Sequence, residues 1–452
     1  MKIIIAGSGK IGTTLISSLV SEGHDLVVID RDPNVVAEIT NIYDVMGVCG
    51  NCVDSDILKE AGADTAELII AGAGSDELNM LCCFLAKKMG TKYTIARIRN
   101  PEYNDSSLNL LKQYLDLSMT INPELFTAHE LYNILKMPSA SKIETFSVRN
   151  FEMIEYILKP NSVLDGVKLS DLRSKFKAKF LICAVQRGSE VYIPDGNFVL
   201  KSGDRIGLTA EPSEIVKLLK EMGIQQPKAK NVMILGGGII AYYLSKRLLS
   251  TGSKVTIIEK NREACKQFAE LLPKATVING DGADKELLYE EGLHSVDAFV
   301  GLTGMDEENI LLSSLAMSEN VPIVIAKVNR DIMIPLAQHW GINSVVSPRK
   351  LTSDIIIRYV RALQNSADSS VETLYKLMDD KVEALEFIVK AESELINCPF
   401  KDLNLKSNIL IAGIIRDRKI IIPSGDDELH ANDKVIVLAA NQRLNKLSDI
   451  LK

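Results

Sequence analysis

Lys2–Asp30 reads KIIIAGSGKIGTTLISSLVSEGHDLVVID. Ile3-Ile4-Ile5 is a short apolar run suited to a buried strand. Gly7-Ser8-Gly9-Lys10-Ile11-Gly12 follows at once. Leu15, Ile16, Leu19 and Val20 then recur at helical spacing, and a second apolar run, Leu26 to Ile29, is closed by Asp30. A strand, a glycine-rich turn, a helix and a second strand capped by a carboxylate form a dinucleotide-binding βαβ pattern. Gly7 permits the tight turn, Gly9 lets a pyrophosphate reach the backbone, and Gly12 lets helix and strand approach. The helix start offers unpaired N–H groups and the positive end of a dipole. Asp30 stands where a carboxylate accepts hydrogen bonds from ribose hydroxyls. The competing reading is a βαβ pattern whose glycines serve packing alone.

The alternation continues. Helix is predicted over Pro33–Asn41, strand over Val45–Cys49, helix over Ile57–Ala61 and strand over Leu68–Ala71. A long helix through Met89 follows, then strands Thr94–Ile98 and Met119–Asn122. Strands alternating with helices at these lengths predict an α/β fold with a doubly wound parallel sheet.

The pattern then repeats. Val232 to Leu235 is a strand, Gly236-Gly237-Gly238-Ile239-Ile240-Ala241 a loop, and Val255 to Ile258 a strand ended by Glu259. Gly236 and Glu259 have the spacing of Gly7 and Asp30. Gly280-Asp281-Gly282 answers Gly50-Asn51-Cys52, Asp306-Glu307-Glu308-Asn309 answers Asp76-Glu77-Leu78-Asn79, and Lys327 in IAKV answers Arg97 in IARI. Two copies in register are far more specific than one fingerprint.

Two smaller segments also match each other: FLICAVQRGSEVYIPDGNFVLKSGDRIGLTA within Phe151–Gly223, and ILIAGIIRDRKIIIPSGDDELHANDKVIVLAA within Val382–Lys452. Both read as strands joined by charged and Gly/Asn-Asp turns, hence small α+β lobes. The expected domains are 1–123 and 230–348 for the Rossmann parts, and 141–225 and 368–452 for the lobes. Linkers are expected at Lys136–Lys142, Gln225–Lys230 and Leu363–Ser370. The helical stretches Leu125–Leu135 and Leu351–Leu363 carry apolar residues on more than one face, which implies cover by a second subunit.

The 452 residues allow about three or four domains. Hydrophobic content of 46% and charged content of 25% are those of a soluble globular chain. A net charge of −7 argues against a nucleic-acid partner, which calls for a basic face. The longest apolar run, Val232 to Leu244, is broken by glycines and falls short of the roughly 18 residues a membrane span needs. Lys2 leads straight into a strand, so no targeting segment is expected. Among the cysteines only Cys49 and Cys52 have C-x-x-C spacing. One such pair cannot complete a zinc site, so small, reduced, apolar cysteines are expected.

The order Rossmann–lobe–Rossmann–lobe, with KIIIAGSGKIG, VVID, Gly50-Asn51, SDELNM, IARIRNPEY and IPDG…SGD, resembles the RCK (KTN) family of regulatory subunits of Trk potassium uptake systems. The resemblance covers essentially the whole chain. It implies a non-catalytic, cytoplasmic, peripheral subunit, bound to a TrkH-like potassium-translocating membrane protein and gating it as NAD(H), ATP or ADP binds. It implies a homotetramer with eight RCK units in a ring. It implies a first site with Gly7, Ser8, Gly9, Lys10 and Ile11 at the phosphates and Asp30 at the ribose. Asn51 and Cys52 lie beside the base, Ala73 and Gly74 at the cleft floor, and Arg97 near the distal phosphates. The second site is Gly236, Gly237, Gly238, Ile239, Ile240, Glu259, Gly280, Asp281, Thr303 and Lys327. Three departures stand out: Cys52 replaces a glycine and crowds the base, Ala73 replaces a threonine that Thr303 keeps, and Ala241 replaces the third glycine.

The alternative is an NAD-dependent oxidoreductase. It needs an acid or base beside the nicotinamide, yet His24, His129, His294, His339 and His430 are scattered. A third reading gives the lobes a cyclic dinucleotide or a metal. Asp76/Glu77 and Asp306/Glu307 stand at helix starts, where capping of N–H groups is expected. For Arg97 two roles are open, a phosphate clamp that separates ATP from ADP or a structural salt bridge.

Overall fold

The computed structural model of the chain describes residues 1–103, 105–138, 142–145, 151–224, 229–342, 344–365, 371–378, 381–417, 419–442, 444 and 446–452. The three expected linkers lie partly outside these residues. The first parallel sheet has the strand order Met46–Cys49, Asp25–Asp30, Lys2–Ala6, Leu68–Ala71, Tyr93–Arg97, Met119–Ile121. The second repeats it as Thr276–Asn279, Lys254–Glu259, Asn231–Leu235, Ala298–Gly301, Ile323–Lys327, Ser344–Val346. Ile3, Ile4 and Ile5 are fully buried, as are Met233 and Ile234. Strands sandwiched by helices on both faces are apolar throughout rather than alternating.

Each lobe is a five-stranded antiparallel sheet. The first runs Glu190–Tyr192, Leu181–Arg187, Arg205–Ala210, Glu152–Ile157, Lys142–Thr145; the second runs Lys419–Ile421, Ile409–Arg416, Lys434–Ala440, Val382–Ile388, Val371–Leu377. One ion pair repeats in both. Arg187 grips Asp204 through Nε and Nη2 at 2.7 and 2.8 Å, and Arg416 grips Asp433 at 2.9 and 2.7 Å. These two-pronged bonds pin the turn that the Gly/Asn-Asp motif announces. The edge strand Lys142–Thr145 begins inside a segment whose sequence reads as linker.

Chain order and packing order differ. One compact body contains Met1–Tyr132 with Ala229–Ile357, and the other Asn133–Lys228 with Arg358–Lys452. Rossmann sheet thus packs with Rossmann sheet and lobe with lobe. In the lobe body Phe151, Met153 and Cys183 share a core with Tyr375, Leu377, Ile436 and Leu438. Thr209 donates its hydroxyl to the Ala412 carbonyl at 3.2 Å, and the Met378 N–H donates to the buried Glu155 at 2.9 Å. A Cβ on Gly413 would stand 2.7 Å from the Phe151 ring, so the glycine admits the other lobe's aromatic side chain.

In the Rossmann body the helices Pro123–Lys136 and Pro348–Asn365 cross to the opposite repeat. Asn122 bonds the Tyr243 hydroxyl at 3.2 Å, and the Arg247 guanidinium lies over the Tyr132 ring at 4.9 Å. In the other direction Ser353 bonds Ser18 at 3.2 Å. Thr352 and Ile356 line a small apolar cavity with Ile11 and Leu15 of the first repeat. Ala128, Leu131, Ile356 and Ile357 are buried. This corrects the expectation that the two stretches need a second subunit. At these residues the cover comes from the other half of the same chain, and each buried Ile or Leu contributes about 1.5–3 kcal/mol.

Candidate functional site

The first glycine loop turns where Gly7 adopts φ 95°, and a Cβ there would meet the Ala73 nitrogen at 2.8 Å. A Cβ on Gly12 would stand 2.3 Å from the Gly7 carbonyl, so this glycine serves the close turn–helix approach. Gly9 precedes the helix Lys10–Ser21 and faces open space. That bare backbone is the feature a pyrophosphate needs. Ile11 lies on the apolar side of the same turn. Lys10 opens the helix, and its side chain lies outside the described atoms.

Asp30 braces this loop. It accepts the Ser8 N–H at 2.7 Å and the Asp32 N–H at 3.1 Å. In the second repeat Glu259 accepts the Gly237 N–H and the Asn261 N–H, both at 2.6 Å. Glutamate is one methylene longer, and the loop accommodates it by losing a side chain. A Cβ on Gly237 would lie 3.0 Å from Glu259 Cγ. Gly236 adopts φ 99°, Gly238 faces open space, and Ile239 and Ile240 begin the helix.

A polar latch joins the ends of the second and third strands in each repeat. Arg31 donates to Asn51 at 2.7 Å, and Lys260 pairs with Asp281 at 2.6 Å. The Lys260 ammonium and the Ala283 N–H hold the Asp281 carboxyl below its ordinary pKa. Gly280 hugs Leu287, 2.3 Å from where its Cβ would be. Cys52 packs inward, in one core cluster with Ala6 and Cys82. Its counterpart Gly282 has no room for a Cβ, which would fall 1.9 Å from Leu235 Cδ1. Leu235 occupies the place of Ala6. The small and large partners are thus exchanged between the repeats, and the Cys52 side chain takes up core space. A hydrogen bond from the Cys82 thiol pulls the Cys52 pKa down to about 7, with the Arg31 charge adding to it.

The cleft floor rests on residues whose role the sequence did not disclose. Asn79 accepts the Ala73 N–H at 2.7 Å and donates to the Arg97 carbonyl at 2.9 Å. Asn309 does the same for Thr303 and Lys327, each at 2.9 Å. An asparagine at one position in both copies was the available signal. Gly74 is open on its Cβ side, and the Thr303 hydroxyl adds a bond to Asn309.

The expected capping by Asp76 and Asp306 is corrected. Asp76 accepts the Arg99 and Asn100 N–H groups, while Ser75 caps the helix; Asp306 accepts the Asn329 and Arg330 N–H groups. Both carboxylates tie the loop after the fifth strand. Of the two roles open to Arg97, the salt bridge is present: Nη2 lies 3.2 Å from Glu124, and the side chain lines a small apolar cavity with Gly7, Ile11 and Gly12. Lys327 is buried and donates to the Leu302 carbonyl at 3.3 Å. Among the described residues no cluster of three or more metal-ligating side chains forms, and no helix is long and apolar enough to cross a membrane.

Comparison with known proteins agrees with this architecture. The TrkA-N domain model matches residues 3–123 and 232–348, and the TrkA-C domain model matches 153–223 and 384–452. A Trk system potassium uptake protein TrkA homolog of Archaeoglobus fulgidus is 31% identical over 453 aligned residues, covering 100% of both chains. The Trk system potassium uptake protein TrkA of Haemophilus influenzae is 28% identical, covering 98% of this chain and 96% of its own. A solved GsuK channel bound to NAD has the same fold, with a TM-score of 0.65 and 17% identity over 97% of this chain and 76% of that one.

Proposed function

We infer the function from one premise: the chain belongs to the TrkA family of Trk potassium uptake proteins, built from tandem TrkA-N and TrkA-C domains. We read it as a regulatory subunit of potassium transport without a catalytic step of its own. It lies on the cytoplasmic face of the membrane against a TrkH-like potassium-translocating subunit. Nucleotide binding changes the gating of that subunit. The observation that carries the reading is the pair of braced glycine loops, each with an open backbone face at Gly9 or Gly238 at the start of a helix. NAD(H), ATP and ADP fit such loops, and the NAD held by the GsuK channel of the same fold supports this ligand class.

In this reading Gly7–Ile11 and Gly236–Ile240 hold phosphates, and Asp30 and Glu259 hold ribose. Asn51, Cys52, Gly280 and Asp281 border the base, while Ala73, Gly74 and Thr303 form the floor. Arg97 and Lys327 set the strand ends. Ring assembly, as a homotetramer of eight RCK units, draws support from exposed apolar side chains that recur in both repeats. Leu81, Leu110 and Tyr114 stand out in the first, and Leu311, Ile332, Leu336 and Trp340 in the second. Clustered exposed apolar groups mark protein contacts.

The carboxylates at Asp30 and Glu259 stand where a 2′-phosphate would lie, so NADP is expected to bind about tenfold or more weaker than NAD. Calorimetry on the full chain checks this. Potassium flux through the co-purified membrane subunit, with and without ATP, ADP and NADH, tests the regulatory reading. Flux indifferent to every nucleotide would refute it.

A further inference from the structure

One polar cavity, of about 490 Å³, opens beside the first glycine loop. Ser8, Gly9 and Thr13 line one side. Asp331 and Arg349 line the other, and both belong to the second repeat. Ser8 is 5% exposed, and its Oγ has no hydrogen-bond partner. The Nε of Arg349 is likewise buried without one. A buried hydroxyl and a buried guanidinium Nε without partners thus belong to residues that line one polar cavity, at the start of a twelve-residue helix. Unpaired buried donors of this kind are costly unless something occupies the site.

The duplication explains why the arginine is available. Arg349 follows the proline that opens its crossing helix, as Glu124 follows Pro123. In the first repeat, strand-end Arg97 and helix-start Glu124 neutralise each other at 3.2 Å. In the second, the strand end carries Lys327 and the helix start Arg349, both cations. Arg349 has no acid to hold it at its own strand end.

We propose that Arg349 is a phosphate ligand of the first nucleotide site, supplied across the chain by the second repeat, and that it selects nucleotides with phosphate beyond the group seated on Gly9. The proposal rests on the nucleotide reading of that site. The bare Gly9 backbone takes one phosphate, and the planar guanidinium grips the next in a two-pronged fashion, with the Ser8 hydroxyl donating a further bond. A polyphosphate thereby joins the two repeats through its own charge. A nucleotide ending at the first phosphate does not. The switch between ligands thus belongs to Arg349 rather than to the internally paired Arg97.

The test uses the full chain with Gly238→Asp, which closes the second loop, and Gly9→Asp as the control that closes the first. ATP and AMP are titrated by calorimetry. Arg349→Gln is expected to weaken ATP about tenfold or more and AMP less than about twofold. Asp331→Asn, which removes a like charge from the same cavity, is expected to strengthen ATP about two- to threefold without moving AMP; it carries the test should Arg349→Gln fail to fold. Equal ATP affinity in wild type, Arg349→Gln and Asp331→Asn, with Gly9→Asp abolishing binding, overturns the proposal and leaves the nucleotide reading standing. No ATP binding by the wild-type chain removes the reading and the proposal together.

Discussion

The two Rossmann repeats share one backbone and differ by exchanged pairs. Ala6 with Cys52 becomes Leu235 with Gly282, Ser8 with Asp30 becomes Gly237 with Glu259, and Arg31 with Asn51 becomes Lys260 with Asp281. In each of these pairs one partner changes with the other and the contact survives. Where the first repeat pairs Arg97 with Glu124, the second carries Lys327 and Arg349 at the same positions. A pair of opposite charges has become a pair of like charges. Compensated pairs hold the fold, and the uncompensated one is where the repeats diverge in use.

The largest effect is expected at that pair. Arg97→Ala leaves Glu124, mostly buried, without its cation, and unfolding in urea should show a loss of about 3–5 kcal/mol. Arg97→Met with Glu124→Leu removes both charges and should recover most of it. If the single and double variants are equally unstable, the ion pair is not what the first repeat protects. A smaller effect is expected at the packing exchange. Gly282→Cys drives a side chain into Leu235 and should cost about 1–3 kcal/mol. With Leu235→Ala added, the thiol fills the vacated space, so the double variant should be more stable than either single one. Additive losses would show that the two sites are not one exchange.

The smallest expected effect concerns the contact between repeats. Burial, and then the Arg247 charge, hold His129 below its ordinary pKa. The unfolded chain therefore takes up a proton near pH 6.5 that the folded chain refuses. The associated stability is fully present above that pH and is lost as pH falls through the lower, folded value. The melting temperature should fall on acidification in that range, and His129→Gln should flatten the slope. An unchanged slope in the variant would assign the acid sensitivity elsewhere.

Much of this was legible in the sequence because the physics is local. The strand over Leu68–Ala71 lies where its apolar run puts it, and the glycines at 7 and 236 carry the positive φ their turns demand. The register of the duplication located both carboxylate braces. What escaped depends on contacts between distant segments. Nothing in KMPSASK announces the edge strand Lys142–Thr145, since its partner strand supplies the reason for it. Asn79 reads as one polar residue in an amphipathic helix until two loops close over it. Arg349 gains its meaning only when its helix crosses to the first glycine loop.

That crossing also governs time. Ser18 bonds Ser353, and Thr209 bonds Ala412, so both bodies are stitched by residues made far apart during synthesis. A ribosome adding roughly 5–20 residues per second leaves the first repeat waiting about ten seconds or longer for its partner. Through that interval the crossing helix with Leu131 and the lobe surface with Phe151 emerge without their final cover. The nascent first half is therefore the species on which chaperones have most to act.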